Sequence, residues 1–334
     1  QLRWTPAALL RRTLQIDEII QSHALRYFYL SAPDLMLGMD APPEQRHIFG
    51  LMQADPDIAR AGVRLRSVGQ QVIEILGGKR IHPSWVVPGG VSDPLTPEKR
   101  EQILAMLPEA LQLAQMAFER FVPMLGQFEQ EIESFANFPT LFMGLRGKDN
   151  TLEFLNGELC VFGPDLTPLE CDIKPDNYDD VIGEAVLPYS YLKSPYYKPL
   201  GYPEGVYRVG PLARLNIIDR PGTPLADMDY QVWKTIDRQS SFHYHLGRLI
   251  EIVYCIERIG ELLNEPDILN TNVRAHAPAN RNRGVGISEA PRGTLIHDYT
   301  VDDDGLITSC NMIIATGNNN PAMDRGVLQV AQRF

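Results

Sequence analysis

SSFHYHLGRLIEIVYCIERIGELLN, residues 240–264, sets Phe242, Leu246, Leu249, Ile250, Val253, Ile256 and Ile259 at steps of three and four, the period of one face of an α-helix. Working outward, three more stretches carry the same signal. Thr5-Pro6 reads as an N-cap with proline at the first helical position, and Leu10, Leu14, Ile20 and His23 follow near one face. That helix is predicted to end near Ser31-Ala32-Pro33, because the residue before a proline is pushed out of the helical region. A second spans Ile58 to Leu76 and closes on Gly77-Gly78. Thr96-Pro97 caps a third; Pro108 is expected to restart it, since a proline ring clashes inside a helix, and Pro123 to kink it. Its stripe is Leu111, Ala114, Phe118, Phe121, Leu125, Phe128 and Ile132.

Several long helices with apolar stripes can bury them only against one another. The fold class read from the chain is therefore mainly α (α+β), a long-helix bundle core with small peripheral antiparallel β-sheets. One hairpin is predicted within Thr151–Phe162 around an Asn156-Gly157 type I′ turn, and a second around Asp302-Asp303-Asp304-Gly305. Residues 165–224, rich in Pro, Tyr and Gly, read as ordered loop with short elements. No repeat or clear boundary divides the chain, so residues 1–334 read as a single domain.

Composition narrows the function classes. The chain has 334 residues, 44% hydrophobic and 22% charged, within the globular range and unlike a disordered segment. A formal net charge of -11 argues against nucleic acid as a partner, and no apolar run approaches the roughly 20 residues of a membrane span. The four cysteines, Cys160, Cys171, Cys255 and Cys310, form no C-x-x-C pair, and reduced thiols in a cytoplasmic protein are expected. The opening QLRWTP lacks an initiator Met and no signal peptide follows.

Residue chemistry alone gives little. His243 and His245, two apart on a helix, point in nearly opposite directions and cannot share one ion; they read as a surface and a boundary histidine. His23, on an apolar face, reads as a hydrogen-bonded core histidine. GVGISE from Gly284 lacks the third glycine and the helix of a dinucleotide loop, and no G-x-S-x-G elbow supports a hydrolase.

Four strings remain: GGKRIHPSWVVPGGV at 77–91, VGPLAR at 209–214, SEAPRGTL at 288–295 and ATGNNN at 315–320. In this order they resemble the large, nickel-binding subunit of nickel-iron hydrogenases, specifically the bidirectional NAD-linked group, as do QSHAL at 21–25 and AGVRLR at 61–66. The resemblance covers essentially the whole chain. The quinone-reducing subunit of respiratory complex I shares the H-P…P-G-G-V string in altered form, but resembles E-A-P-K where this chain has Glu289-Ala290-Pro291-Arg292.

The resemblance implies a hydrogenase large-subunit-like fold and reversible heterolytic cleavage of H2 to protons and electrons. Those electrons pass through a small iron-sulfur subunit to NAD-linked diaphorase subunits carrying flavin, and on to NAD(P). It also implies a nickel-iron centre with cyanide and carbon monoxide ligands, hung from four thiolates in two C-x-x-C pairs. Neither pair is in this sequence, so the chain is expected to be a central fragment truncated at both ends, with no metal ligand and no cofactor of its own. The apolar positions Val327, Val330, Ala331 and Phe334 of a final amphipathic segment, without a cap, point the same way.

Position by position, Arg292 matches the arginine beside the metals, a catalytic and cofactor-facing residue. Thr316 matches a hydroxyl donor to a cyanide. Pro291, Leu295 and Ala315 match the apolar lining of a dry socket. Glu289 is expected to orient a backbone turn or to pair with Arg214, and His82 with Pro88-Gly89-Gly90 to fix a loop. The alternative is a metal-free scaffold or interaction module like the quinone-linked relative.

Overall fold

In a computed structural model the described residues are 5–276 and 281–333; Phe334, the last apolar position of the final segment, lies outside them. In chain order the helices are α1 (Pro6–Ala24), α2 (Ala32–Leu37), α3 (Ile48–Ala54), α4 (Pro56–Gly77), α5 (Pro97–Phe121), α6 (Glu129–Ser134), α7 (Tyr178–Val181), α8 (Pro211–Asn216), α9 (Pro224–Trp233), α10 (Tyr244–Leu263) and α11 (Asn320–Arg333). The strands are β1 (Val86–Val87), β2 (Gly90–Val91), β3 (Leu141–Arg146), β4 (Glu158–Phe162), β5 (Pro168–Ile173), β6 (Ile182–Ala185), β7 (Ser194–Tyr197), β8 (Tyr207–Arg208), β9 (Arg283–Ala290), β10 (Gly293–Val301) and β11 (Ile307–Ile313). Two compact units result: one of residues 1–123, 223–226 and 248–278, the other of 124–222, 227–247 and 279–334.

The first unit is helical. Thr5 caps α1 by accepting from the Ala8 N–H, and the helix passes through a π-helical stretch, Leu25–Tyr29, before breaking at Ser31 as Pro33 predicts. Asp55 caps α4, which ends on Gly78 in the left-handed conformation, φ 76°. Gly62 and Gly69, one heptad apart, let the α4 backbone lie against Phe28 and Gln21, where a Cβ would collide. The histidine expected in the core is there: His23 Nε2 lies 2.7 Å from Glu251 Oε2, both buried. Arg100 of α5 donates to the Leu263 carbonyl at the end of α10 at 2.7 Å. Gly89 and Gly90, at positive φ, let their loop approach the carbonyls of Ala275 and Val273, fixing that loop as the sequence suggests.

Pro108 does not restart α5. The helix runs through it from Pro97 to Phe121, with Pro108 on its exposed side. Before Pro123 the α-helix yields to a 3-10 segment, Val122–Gln127.

The second unit is built on sheets. One has the order β5-β4-β3-β8, another β11-β10-β9, and β6 pairs with β7; only the β3–β8 ladder is parallel among these. Met143, Leu145, Leu159, Val161, Tyr207, Ile296 and Ile313 make its core. The Asp302–Gly305 hairpin forms as read, joining β10 to β11. The Asn156-Gly157 hairpin does not: β4 pairs with β3 across residues 147–157, because Glu153 turns back to accept from the Phe154 and Leu155 N–H groups and holds 151–155 as loop. Cys160 and Cys171, on neighbouring strands, form a disulfide, against the expectation of reduced thiols. A register shift between Leu159 and Val161 brings the two residues opposite each other.

Candidate functional site

Three of the four singled-out strings meet in the second unit. Arg214, on α8, is buried and donates to Glu289 Oε2 at 2.8 Å, to the Ala290 carbonyl at 3.0 Å and to the Pro291 carbonyl at 3.1 Å. Glu289, also buried, accepts from the Leu145 N–H at 3.0 Å and from the Thr294 hydroxyl at 2.7 Å. Burial pushes its carboxyl upward, and Arg214, Thr294 and Leu145 pull it back. The expected pairing of Glu289 with Arg214 is thus present, and it is Arg214 that bonds the turn carbonyls. Together the two side chains clamp the β9–β10 turn, Ala290-Pro291-Arg292-Gly293.

VGPLAR contributes backbone as well. Gly210, φ 92°, lies against this turn, and a Cβ there would come within 2.8 Å of the Arg292 carbonyl. Gly293, φ 141°, is equally required, since a Cβ would strike Val209.

ATGNNN closes the arrangement. Asn318 accepts from the Tyr207 hydroxyl at 2.6 Å and donates to the Thr294 carbonyl at 2.8 Å. Asn319 accepts from the Val209 N–H at 2.8 Å. The 315–319 turn is therefore tied to the start of β10, beside the Arg292 turn. Burial pushes the Tyr207 phenol far up, which keeps it a donor.

Of the residues predicted for the site, Ala315 is buried, Pro291 and Leu295 are half-buried, and Arg292 and Thr316 are exposed. Arg292 has no hydrogen-bond or ion-pair partner among the described residues. The described residues bring these five to one end of the β10 hairpin without enclosing them in a closed socket. His243 is not a surface residue: it is buried, and its Nδ1 lies 2.6 Å from the Asp237 carbonyl. Burial lowers its pKa.

Sequence reasoning missed the tyrosine and asparagines that fasten the two turns, although Asn318 and Asn319 lay inside a string singled out as unusual. It also missed Arg208, buried on β8 and donating to the Thr140 hydroxyl at 2.7 Å and to the Gln239 and Phe138 carbonyls at 2.6 and 3.0 Å. Desolvation lowers its pKa to about 10. No spacing signal marks it.

No protein-family model matches the chain. Among curated proteins it is 39% identical over 330 residues to a component of the F420-non-reducing hydrogenase vhu of Methanocaldococcus jannaschii, covering 98% of this chain and 78% of that one. It is 36% identical over 343 residues to the beta component of the NAD-reducing hydrogenase HoxS of Cupriavidus necator, covering 99% and 70%. The fold agrees with a crystal structure of an NAD+-reducing nickel-iron hydrogenase in the H2-reduced state, with a TM-score of 0.92 and 40% identity over 96% of this chain and 72% of that one. The chain belongs to the nickel-iron hydrogenase large-subunit family.

A nickel-iron-selenium hydrogenase of Desulfomicrobium baculatum shares the fold at a TM-score of 0.72 and 19% identity, over 95% of this chain and 73% of that one. The hydrogenase fold explains the mixture of long helices and small sheets. The family implies a nickel-iron centre, but the described cysteines do not fit as its ligands. Cys160 and Cys171 are bonded to each other, Cys255 is buried on α10, and Cys310 is exposed on β11. Among the described residues no three His, Cys, Asp or Glu side chains cluster as a metal group. No helix among the described residues is long and apolar enough to cross a membrane.

Proposed function

We propose that this chain is the central part of a hydrogenase large subunit, where it supplies the protein cover of the nickel-iron centre without its thiolates. In the complete enzyme the metal pair, with cyanide and carbon monoxide ligands, supplies reversible H2 cleavage. The electrons pass through a small iron-sulfur subunit, then through flavin-bearing diaphorase subunits, to NAD(P) in the cytoplasm. The observation that carries this reading is the contrast at the β9–β10 turn: its backbone is held by a buried ion pair, while the guanidinium it presents has no partner among the described residues.

Arg292 has a donor fork suited to charge-assisted bonds with an anionic acceptor, and a fixed positive charge where charge separates. An arginine is a poor base, so its assigned work is orientation and polarisation. Thr316 offers a hydroxyl donor, and Pro291, Leu295 and Ala315 offer apolar lining. The identity to an NAD-reducing enzyme over nearly the whole chain favours this over a metal-free scaffold.

Elemental analysis of the 334-residue chain after expression with a hydrogenase maturation system tests the division of labour. The reading expects no stoichiometric nickel, because a soft nickel site does not assemble without thiolates. One nickel per chain would overturn it.

A further inference from the structure

The β10–β11 hairpin has two chemically different faces. On one, Ile296 and Ile313 enter the core, and Asp298 and Asn311 bond to Tyr178. The other carries His297 opposite Met312 and Tyr299 opposite Cys310. The Tyr299 hydroxyl lies 3.0 Å from His297 Nδ1 and donates to Met312 Sδ at 3.4 Å, and Cys310 is the cross-strand neighbour of Tyr299. An imidazole and a thioether thus converge on one oxygen atom, with a thiol on the adjoining cross-strand position. Across the sheet on β9, His297 and Tyr299 face Gly286 and Gly284, where an added Cβ would meet nothing within 4 Å. The third strand therefore leaves the cluster uncovered. Cys310 is a free, exposed thiol, and Met312 is 46% exposed.

We propose that this face binds one soft d10 cation of the copper(I) class, held by Cys310 Sγ, Met312 Sδ and His297 Nδ1 at the position the Tyr299 hydroxyl now takes. Thiolate and thioether ligands select such a cation over harder ones. The cluster contains no carboxylate, since Asp298 points to the opposite face, which leaves nothing for calcium or magnesium. Metal–ligand bonds near 2.0–2.3 Å require His297 Nδ1 and Met312 Sδ to close by roughly 1 Å once the phenol swings aside, and Cys310 Sγ to turn toward the same point. The three rotatable bonds of Met312 and the exposure of Cys310 permit that movement. Binding forms three coordinate bonds and releases the thiol proton to solvent, with no change in oxidation state. This site is independent of the hydrogenase reading.

Anaerobic titration of the 334-residue chain with copper(I), kept reduced by ascorbate and competed against bicinchoninate, tests it. Ascorbate leaves the Cys160–Cys171 disulfide intact, and Cys255 is buried, so Cys310 is the thiol addressed among the described residues. One copper(I) per chain is expected. Cys310→Ser should weaken binding by about 100-fold, and Met312→Leu and His297→Gln by about tenfold or more each. Tyr299→Phe, which removes the hydroxyl from the centre, should retain or tighten it. X-ray absorption should report two sulfur ligands and one nitrogen. Full affinity in both Met312→Leu and His297→Gln would reduce the site to a lone thiol and overturn the proposal, as would full affinity in Cys310→Ser or loss of binding in Tyr299→Phe. Unchanged circular dichroism verifies that each variant is folded.

Discussion

Arg214 and Glu289 are both sealed from water, so neither tolerates loss of the other. Arg214→Met leaves a buried carboxyl uncompensated and should cost about 3–5 kcal/mol. The double variant Arg214→Met/Glu289→Leu should recover much of that, as read by chemical denaturation. Asp17 is the opposite case. It is buried on α1, its oxygens make no side-chain hydrogen bond, and burial, then Glu18, raises its pKa well above the ordinary value. The folded state therefore binds a proton that the unfolded state releases. Stability is fully present below the unfolded pKa of about 3.9 and falls as pH rises toward the folded value. Asp17→Asn should remove that slope and be more stable than the parent at neutral pH, measured by urea unfolding across pH. Arg292 and Thr316 were singled out because motifs carry them. The residues that fasten their turns were not, because Tyr207–Asn318 and Val209–Asn319 join positions more than a hundred apart, and no local period encodes such pairs.

At the scale of elements, caps and stripes placed α1, α4 and α10 well, because Thr5 and Gly78 act on their own turns and the apolar stripe of α10 is local in sequence. Pro108 misled because the local rule ignores which side of a helix faces water. Pro108→Ala should stabilise α5 by about 2 kcal/mol, the helix penalty of proline near 3 less the loss of its unfolded-state restriction near 1; a rise in the denaturant midpoint checks it. The strand partner of β4 was misassigned because the tight-turn signal at Asn156-Gly157 is local, whereas β3 is chosen by tertiary packing. Gly293→Ala should displace the Arg292 turn and cost about 1–3 kcal/mol, from positive φ and collision with Val209, seen as a lowered melting temperature.

For the whole molecule, each unit carries its own core, one of helices and one of sheets, and the second presents the two fastened turns. The family follows from identity and fold over nearly the entire chain. We propose that the clamped backbone serves to present the Arg292 fork. It is tested most directly by Arg292→Lys in the mature hydrogenase that contains this chain, with nickel content and H2 turnover measured on the same preparation. Because lysine keeps the charge but lacks the planar fork, the account predicts unchanged nickel and turnover reduced about tenfold or more. Full turnover at full nickel occupancy would contradict it.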